Sequence, residues 1–409
     1  MKCRHCNGEL INTFLDLGFA PPSNAYLAFA DLQKPETYFP LTIMACDSCW
    51  LVQTLDYADA EELFSESYAY FSSTSSGFLK HAQQYSEKII NRLNLDEKNF
   101  VIEIASNDGY LLKNFVEAKI PCLGVEPTDS TADAAEALGI PVLREFFGEK
   151  IASQIAIDHK KADLISGNNV YAHVPDINDF TKGLAAVLES SGTITLEFPH
   201  LMKLLEFNQF DTIYHEHFSY LSLFSVSKIF ASAGLRVYDV EELSTHGGSI
   251  RVYGCHDESN IQETNAVQLM LNRELEYGMQ AIDVYKNFQD DANQIKDSFL
   301  HFLIEASRSG KSIAGYGAAA KGNTLMNYAG IKTDYISFVA DAAKAKQGKF
   351  LPGTHIPVHH PDRLISEQVD YIIIFPWNIA DEVINDLRKK INYSTEFVTF
   401  VPELKIESI

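Results

Sequence analysis

The spacing of apolar and polar side chains predicts strands that alternate with amphipathic helices. Residues 77–93 carry apolar side chains three or four positions apart, the period of a helix with one buried face; these are Phe78, Ala82, Tyr85, Ile89 and Leu93. Residues 261–308 keep a similar register and predict one or two long helices. The pattern leaves open whether these helices connect domains or form a dimer surface.

The clearest fold signal lies in residues 99–112. An apolar, β-branched run containing Glu103 gives way to a turn of small residues from Ala105 to Gly109, and a helical pattern begins at Tyr110. A strand, a tight turn and a helix N-terminus in this order bind nucleotides at the carboxyl end of a parallel sheet. The sequence therefore predicts a Rossmann-like α/β domain.

Further strands are predicted in the same region. Residues 122–127 form a strand that ends in Glu126, where a carboxylate can accept both ribose hydroxyls of an adenosine. Residues 162–170 form a strand ending in amides, including Asn168, that can line a ligand crevice, and residues 192–199 form another strand.

Residues 311–323 repeat the order of strand, glycine turn and helix start. The turn is not a Walker A loop, because Lys321 precedes Gly322 and no GK[ST] triplet occurs. Together with predicted strands at 335–339 and 371–375, it indicates a second α/β domain. The turns of this second domain either bind a diphosphate or have a purely structural role.

Composition and charge narrow the class of protein. A chain of 409 residues exceeds the usual span of one hydrophobic core, so two or three domains are expected. The formal net charge of −22 argues against nucleic-acid binding, although a few local donors can hold a phosphate-bearing small molecule. Without a secretory leader pattern or an uncharged apolar stretch of about 18 residues, a cytoplasmic enzyme without a membrane partner is expected.

Six cysteines are present, and four of them form two CxxC pairs: Cys3, Cys6, Cys46 and Cys49. Two such knuckles can complete a tetrahedral four-thiolate site, for which zinc is the natural metal. A closed site of this kind is structural, because no coordination position stays open to a substrate. The alternatives are unrelated thiols or a redox pair.

The turn at residues 103–109 also discriminates between cofactors. A dinucleotide fold uses G-x-G-x-x-G, which lets the backbone approach a pyrophosphate. Here Gly109 is the one glycine of the turn, and Glu103 and Asp108 would repel a pyrophosphate. The same carboxylates suit the sulfonium and amino groups of S-adenosylmethionine, so the sequence favours that cofactor over NAD.

Residues 211–220 gather two imidazoles, two carboxylates and two phenols, which exchange protons near neutral pH once burial adjusts their pKa values. In an extended strand, Tyr214 and Glu216 would face away from His215 and His217. One pocket can use them all only if the segment bends, so we expect a loop or a strand end. A histidine-rich surface loop is the alternative.

Taken together, these motifs resemble the zinc-containing sugar C-methyltransferases that act on nucleotide-linked keto-deoxysugars. The resemblance covers essentially the whole chain. It rests on the two CxxC knuckles and on residues 67–76, 103–109, 126–127, 167–175, 214–220, 245–252 and 315–323. It implies a zinc-binding domain at 1–66, a central S-adenosylmethionine-binding methyltransferase domain at 67–255, and a C-terminal α/β domain at 256–409 that contributes to nucleotide-sugar binding.

The resemblance implies roles for individual residues. The cofactor residues would be Glu103, Ala105, Asn107, Gly109, Glu126 and Asn168, with Ala105 standing where the family has glycine. The substrate would be a nucleoside-diphosphate-4-keto-6-deoxyhexose, methylated at C3 after deprotonation next to the ketone. His217 would be the base, supported by Tyr214, Glu216, Tyr68 and His173, whereas His215 would be a support or surface group.

The remaining expectations concern the cleft between the two α/β domains. Nucleotide or sugar contacts are expected there from His246, Ser249, Arg251, Lys321, Asn323 and Asn378. Packing alone is the alternative for Tyr68, and a backbone hydrogen bond is the alternative for His173. For the whole chain, the alternatives are an NAD-dependent nucleotide-sugar oxidoreductase or epimerase and a non-enzymatic zinc-knuckle binding protein. Both a monomer and a homodimer fit the sequence.

Overall fold

The computed structural model describes residues 1–55, 57 and 71–408. Tyr68 lies outside the described residues, as do the other residues of the first part, 67–70, of the aromatic and hydroxyl-rich run at 67–76. The N-terminal region holds strands β1 (Asn12–Ala20), β2 (Phe39–Ala45) and β3 (Val52–Thr54) and a 3-10 turn, Phe29–Gln33. The strands pair antiparallel in sequence order. The segment between the two CxxC pairs is therefore built around a long hairpin.

The central region alternates strands and helices, as predicted. Its strands are β4 (Val101–Ile104), β5 (Cys122–Val125), β6 (Val142–Leu143), β7 (Ala162–Asn168), β8 (Leu188–Pro199), β9 (Ser219–Tyr220), β10 (Leu235–Leu243) and β11 (Ser249–His256). Its helices are α1 (Ser76–Leu93), α2 (Leu112–Glu117), α3 (Asp129–Ala137), α4 (Glu149–Asp158), α5 (Ile177–Val187), α6 (Leu201–Glu206) and α7 (Leu223–Ser232). Short 3-10 turns occupy Ser72–Thr74, Tyr171–His173, Phe210–Thr212 and Thr245–Gly247.

The central sheet has the strand order β10-β11-β8-β7-β4-β5-β6. Strands β8, β7, β4, β5 and β6 run parallel, and β11 pairs antiparallel with both β8 and β10. All four residues of β4 are buried, as expected for a strand with helices on both faces of its sheet. The turns after β4 and β7 meet at one edge, where the cofactor residues were predicted.

Strand β9 belongs to a different sheet. It pairs antiparallel with β3, Val52 opposite Tyr220 and Gln53 opposite Ser219, and gives the order β1-β2-β3-β9. The zinc-domain sheet is therefore completed by the residues that directly follow His217.

The C-terminal region forms the predicted second α/β domain. Its helices are α8 (Asn265–Tyr277), α9 (Asp283–Lys286), α10 (Phe288–Arg308), α11 (Ala320–Tyr328), α12 (Asp362–Glu367) and α13 (Ala380–Lys390), with a 3-10 turn at Trp377–Ile379. Its strands are β12 (Ile313–Tyr316), β13 (Val339–Ala340), β14 (Val358–His359), β15 (Tyr371–Ile374), β16 (Glu396–Thr399) and β17 (Lys405–Ser408). The sheet order is β14-β13-β12-β15-β16-β17, parallel except for β17.

The strand predicted at 335–339 is shorter and later than expected. Only Val339 and Ala340 are paired with β12; the Phe338 carbonyl also accepts from the Gly315 N–H over 2.9 Å, whereas Ile336 is buried outside the strand. The apolar pattern therefore predicted which residues are buried but not which residues pair in the sheet, because a buried residue need not belong to a strand.

Helix α10 joins the zinc-domain sheet to the C-terminal domain. Phe288 at its start stacks on Phe14 of β1 with ring centroids 4.7 Å apart, and Phe299 and Leu303 are fully buried. In contrast, Leu269 of α8 is 63% exposed. Helix α10 therefore packs between the zinc-domain sheet and the C-terminal domain, as a helix that connects domains does. The domain boundaries at 66 and 255 stay a prediction. Within the described ranges, every helix is too short or too polar for a bilayer crossing.

Candidate active site

The four CxxC cysteines converge at one point of the N-terminal region. The Sγ atoms of Cys3 and Cys49 lie 3.5 Å apart, those of Cys6 and Cys46 lie 3.6 Å apart, and all four lie within 4.8 Å of one another. A tetrahedral zinc with Zn–S bonds of about 2.3 Å spaces its sulfurs by roughly 3.8 Å. Gln53 Nε2 donates to Cys3 Sγ over 3.1 Å, a contact that suits a thiolate. The predicted four-cysteine zinc site is confirmed.

The turn after β4 adopts a backbone that favours small residues. Ala105 and Asn107 have φ of 54° and 48°, in the left-handed region, so Ala105 keeps the conformation that a glycine adopts more readily. At Gly109, also with positive φ, an added Cβ would lie 2.4 Å from Ile140 Cδ1. The turn thus packs tightly against α3 and its following residues.

Glu126 and the serine-rich segment hold this turn in place. The Glu126 carboxylate accepts hydrogen bonds from the backbone N–H groups of Asn107 and Thr128, each over 2.9 Å. The backbone N–H of Ser72 donates to Asn107 Oδ1 over 2.9 Å, and that of Ser73 donates to Asp108 Oδ2 over 3.0 Å. The described end of the aromatic and hydroxyl-rich run is therefore hydrogen-bonded to the turn that carries the predicted cofactor residues.

Buried polar atoms without a partner mark the space beside the turn. Within the described residues, both carboxylate oxygens of Glu103 and both amide atoms of Asn168 lack a hydrogen-bond partner. Burial, and then the neighbouring carboxylates of Glu126 and Asp108, raise the pKa of Glu103 well above its ordinary value. A cationic ligand would relieve this electrostatic cost. The sulfonium and ammonium groups of S-adenosylmethionine fit this requirement.

His217 lies in a buried cluster of aromatic and imidazole rings. Its Nδ1–H donates to the carbonyl of Thr212 over 2.9 Å, and this fixes the tautomer whose Nε2 can accept a proton. The ring centroid of His217 lies 4.0 Å from that of Tyr214 and 4.6 Å from that of His173. Burial, helped by the neighbouring His173, lowers the pKa of His217 well below its usual range. The imidazole is therefore neutral at physiological pH, as a general base must be.

The expected bend in this segment is present. The N–H of His217 donates to the carbonyl of Tyr214 over 3.0 Å and closes a turn just before β9. His173 Nδ1 donates to the Glu216 carbonyl over 2.8 Å, so the loop after β7 is tied to this turn. His215 points instead toward β2, where its Nε2 donates to the Phe39 carbonyl over 3.3 Å.

Glu216 is buried beside a loop of the zinc-binding region. Its Oε1 accepts from Asn24 Nδ2 over 3.2 Å, and its Oε2 has no partner among the described residues. Burial raises the pKa of Glu216 from its ordinary 4.5 to about 7. Near neutral pH this carboxyl is therefore partly protonated and can donate a hydrogen bond.

The burial of Glu216 predicts a pH-dependent stability. Because its folded pKa is raised, protonation stabilises the fold at low pH, and this contribution is lost as the pH rises through about 7. Glu216→Gln keeps the side-chain shape and does not titrate. We expect the Tm of the wild type relative to this variant to fall between about pH 5 and about pH 8, by the equivalent of up to about 3 kcal/mol. A Tm difference that stays constant across this range would contradict the assignment.

A second cluster of side chains links the C-terminal domain to Asp211, which precedes the turn that carries His217. Lys321 Nζ donates to Asn378 Oδ1 over 2.7 Å and lies 4.3 Å from the centroid of the Trp377 ring. Trp377 Nε1 donates to Asp211 Oδ2 over 2.7 Å. Burial lowers the pKa of Lys321 to about 8 and raises that of Asp211 to about 6. The structure thus brings Lys321 and Asn378 together, whereas Asn323 is fully buried and donates to the carbonyl of Ser23 over 2.6 Å.

Arg251 and Ser249 support the turn that carries His246. Arg251 is 2% exposed, and its Nη2 donates to Glu197 over 2.5 Å. Glu197 also accepts from Thr245 Oγ1 over 2.9 Å, and Ser249 Oγ donates to the Thr245 carbonyl over 3.0 Å. Burial, and then the charge of Lys321, lower the pKa of His246 to about 4. Substrate contacts from these residues stay predictions.

The sequence motifs assigned no individual role to Asp211, Trp377 or Glu197, although Asp211 lies in the segment 211–220. Glu197 had a usable signal, since it lies two residues before the end of the buried strand β8, at the same sheet edge as Glu103 and Glu126. The contact between Asp211 and Trp377 had no signal in the sequence, because the two residues meet only through the tertiary fold.

Three family models match the chain in sequence order. "Putative zinc binding domain" matches residues 3–64, "Methyltransferase domain" matches 78–240, and "C-methyltransferase C-terminal domain" matches 244–402. The C-methyltransferase NovU of Streptomyces niveus is 32% identical over 407 residues, covering 100% of this chain and 97% of the relative.

Solved structures resemble a smaller part of the chain. An S-adenosylmethionine-dependent methyltransferase from Clostridium acetobutylicum is 12% identical with a TM-score of 0.35, covering 44% of this chain and 92% of that one. The magnesium protoporphyrin IX methyltransferase of Synechocystis is 14% identical with a TM-score of 0.35, covering 44% and 83%. The full-length identity and the three family matches show that the chain belongs to the S-adenosylmethionine-dependent C-methyltransferases with an N-terminal zinc-binding domain.

Proposed function

We propose that the enzyme methylates C3 of a nucleoside-diphosphate-4-keto-6-deoxysugar, in the synthesis of a branched deoxysugar. The observation that carries the proposal is the hydrogen bond from His217 Nδ1 to the Thr212 carbonyl, because it leaves a neutral, buried Nε2 to take a proton. A C–H bond next to a ketone is acidic enough for a positioned base, and this chemistry needs no metal.

The roles of the other groups follow from their chemistry. His217 Nε2 takes the C3 proton, and the electron pair moves into an enolate whose oxygen is that of the C4 ketone. Glu216 in its protonated form, or the Tyr214 hydroxyl, donates a hydrogen bond to this oxygen. S-adenosylmethionine supplies the methyl group, whose bond to sulfur breaks as the bond to C3 forms. Burial of the imidazole cluster keeps water away from the enolate.

Lys321 and Asn378 are proposed to hold the diphosphate. The Lys321 ammonium is buried beside Asp211, so a phosphate group would add a stronger counter-charge where one carboxylate is already partly protonated. The backbone N–H of Ala318 on the C-terminal glycine turn already donates to Asp341 Oδ2 over 2.7 Å, so this donor is not available to the pyrophosphate of a dinucleotide. This occupied turn supports a methyltransferase rather than an NAD-dependent oxidoreductase.

Glu103 is proposed to bind the cationic part of S-adenosylmethionine. Its raised pKa keeps the free carboxyl protonated, and a bound cation would favour the carboxylate, so binding should release a proton and tighten as the pH rises. Glu103→Gln should weaken binding by about tenfold to about a hundredfold and abolish the proton release. Calorimetry in two buffers of different ionisation enthalpy measures both. Glu97→Gln, an exposed control, should bind as the wild type does; wild-type affinity in Glu103→Gln would remove this residue from the site.

The proposed substrate class is tested with a panel. S-adenosylmethionine is incubated with dTDP-, GDP- and CDP-4-keto-6-deoxysugars, and products are analysed by mass spectrometry. At least one sugar should gain the mass of one methylene. Failure of every sugar, with S-adenosylmethionine binding intact, would refute the substrate class while leaving the enzyme a methyltransferase.

A further inference from the structure

Arg4 stands between the first two zinc-site cysteines and points away from the metal site. Its backbone N–H donates to Gln53 Oε1 over 2.9 Å, and Gln53 in turn donates to Cys3 Sγ. This arrangement fixes the Arg4 backbone relative to the zinc ligands. From this fixed backbone position, the side chain extends to the central domain.

The guanidinium joins two separate segments. Nη1 donates to the carbonyl of Pro175 over 2.7 Å, and Nη2 donates to the carbonyl of Thr54 over 2.8 Å. The guanidinium carbon also lies 5.3 Å from the centroid of the Phe218 ring. A planar fork with fixed donor directions can hold two carbonyls at a defined separation, which a lysine cannot do.

Each of these contacts leads directly to a histidine of the cluster. Pro175 follows His173 by two positions. Thr54 donates its N–H to the Phe218 carbonyl over 3.1 Å and its hydroxyl to the His217 carbonyl. The zinc-binding knuckle is therefore connected through one side chain to the segments that carry His173 and His217.

We propose that Arg4 is a positioning residue, which transmits the rigidity of the zinc site to His173 and His217 and so sets the position of the base. The inference rests on the proposed role of His217. A misplacement of about 1 Å at a reacting group can lower a rate by about a hundredfold, so the effect should appear in kcat. The turn after β4 makes none of these contacts, so the affinity for S-adenosylmethionine should not change.

The test compares Arg4→Met with Arg92→Met. Arg92 is the control, because its guanidinium also donates to an acceptor, Asp239 Oδ2, over 2.7 Å and also lies near an aromatic ring, 4.1 Å from the Tyr253 centroid, away from the cluster. Zinc content, S-adenosylmethionine affinity, kcat with an accepted sugar and amide hydrogen exchange are measured for both. Arg4→Lys, which keeps the charge but not the fork, is expected to behave like Arg4→Met.

Amide hydrogen exchange measures directly whether Arg4 holds the segments of His173 and His217. The N–H of His173 donates to the Val170 carbonyl over 2.8 Å, and the N–H of His217 to that of Tyr214, so loosening either segment exposes a protected amide. In Arg4→Met both amides should exchange at least about tenfold faster, and kcat should fall by about tenfold to about a hundredfold with zinc content and cofactor affinity unchanged. Arg92→Met should alter neither quantity.

Three results would overturn the proposal: wild-type protection of both amides in Arg4→Met, loosened amides with wild-type kcat, or loss of zinc from this variant. The exchange measurement needs no sugar. If the wild type methylates no sugar of the panel, the proposed function fails, and exchange still decides whether Arg4 holds the two segments.

Discussion

Replacing His217 with asparagine should lower kcat by about a hundredfold to about ten-thousandfold, the range that a positioned general base contributes. The asparagine amide can still donate to the Thr212 carbonyl, so the turn keeps its hydrogen bond while the basic Nε2 is lost. The affinity for S-adenosylmethionine should stay close to that of the wild type, because the proposed cofactor residues lie at the carboxyl ends of β4, β5 and β7. Steady-state kinetics and calorimetry measure the two effects separately.

The neighbouring imidazole provides a matched control. His215 is as buried as His217 and belongs to the same turn, but its Nε2 donates to the Phe39 carbonyl on the zinc-domain side. His215→Asn should therefore keep most of the wild-type kcat. Full activity in His217→Asn, or an equal loss in both variants, would remove His217 as the specific base.

The second large effect is expected at the zinc site. Structural zinc sites bind their metal with apparent free energies of about 10–16 kcal/mol, as large as the whole stability of a typical domain. Cys3→Ser should therefore lose the single zinc expected per chain and lower the Tm markedly. Because β3 pairs with β9, the disorder should reach the His217 turn and lower kcat as well.

Cys122 provides the control for this experiment. It is a buried cysteine of the central sheet and lies outside the four-thiolate cluster. Cys122→Ala should keep its zinc and lose only the stability expected for a small core substitution. Elemental analysis and thermal unfolding check both variants. A zinc-free Cys3→Ser protein with the wild-type Tm would overturn the structural role of the metal.

The parts of the fold that could be predicted from sequence depend on local patterns. The strand ending near Glu103, the turn to Gly109 and the helix α1 all follow from apolar periodicity within a short window. The bend at His217 could be predicted as well, since alternation in an extended strand would have separated Glu216 from His217.

The parts that could not be predicted depend on distant contacts. The hydrogen bond between Trp377 and Asp211 joins residues 166 positions apart, and that between Asn24 and Glu216 joins residues 192 positions apart. The pairing of β9 with β3 likewise joins the segment that carries His217 to the zinc domain, although each strand is only two or three residues long. Such short strands have no periodicity of their own, so only the assembled core determines where they pair.

The position of the new carbon–carbon bond decides whether the enzyme methylates C3 of a 4-keto sugar. The ketone at C4 acidifies the C–H bonds at both C3 and C5, so mass alone does not identify the product. A sugar accepted in the panel is methylated with S-adenosylmethionine carrying a ¹³C-labelled methyl group, and carbon–proton correlation spectra locate the label. We expect the labelled methyl group to be bonded to C3. A label on oxygen, on C5, or transferred to no 4-keto sugar would contradict it.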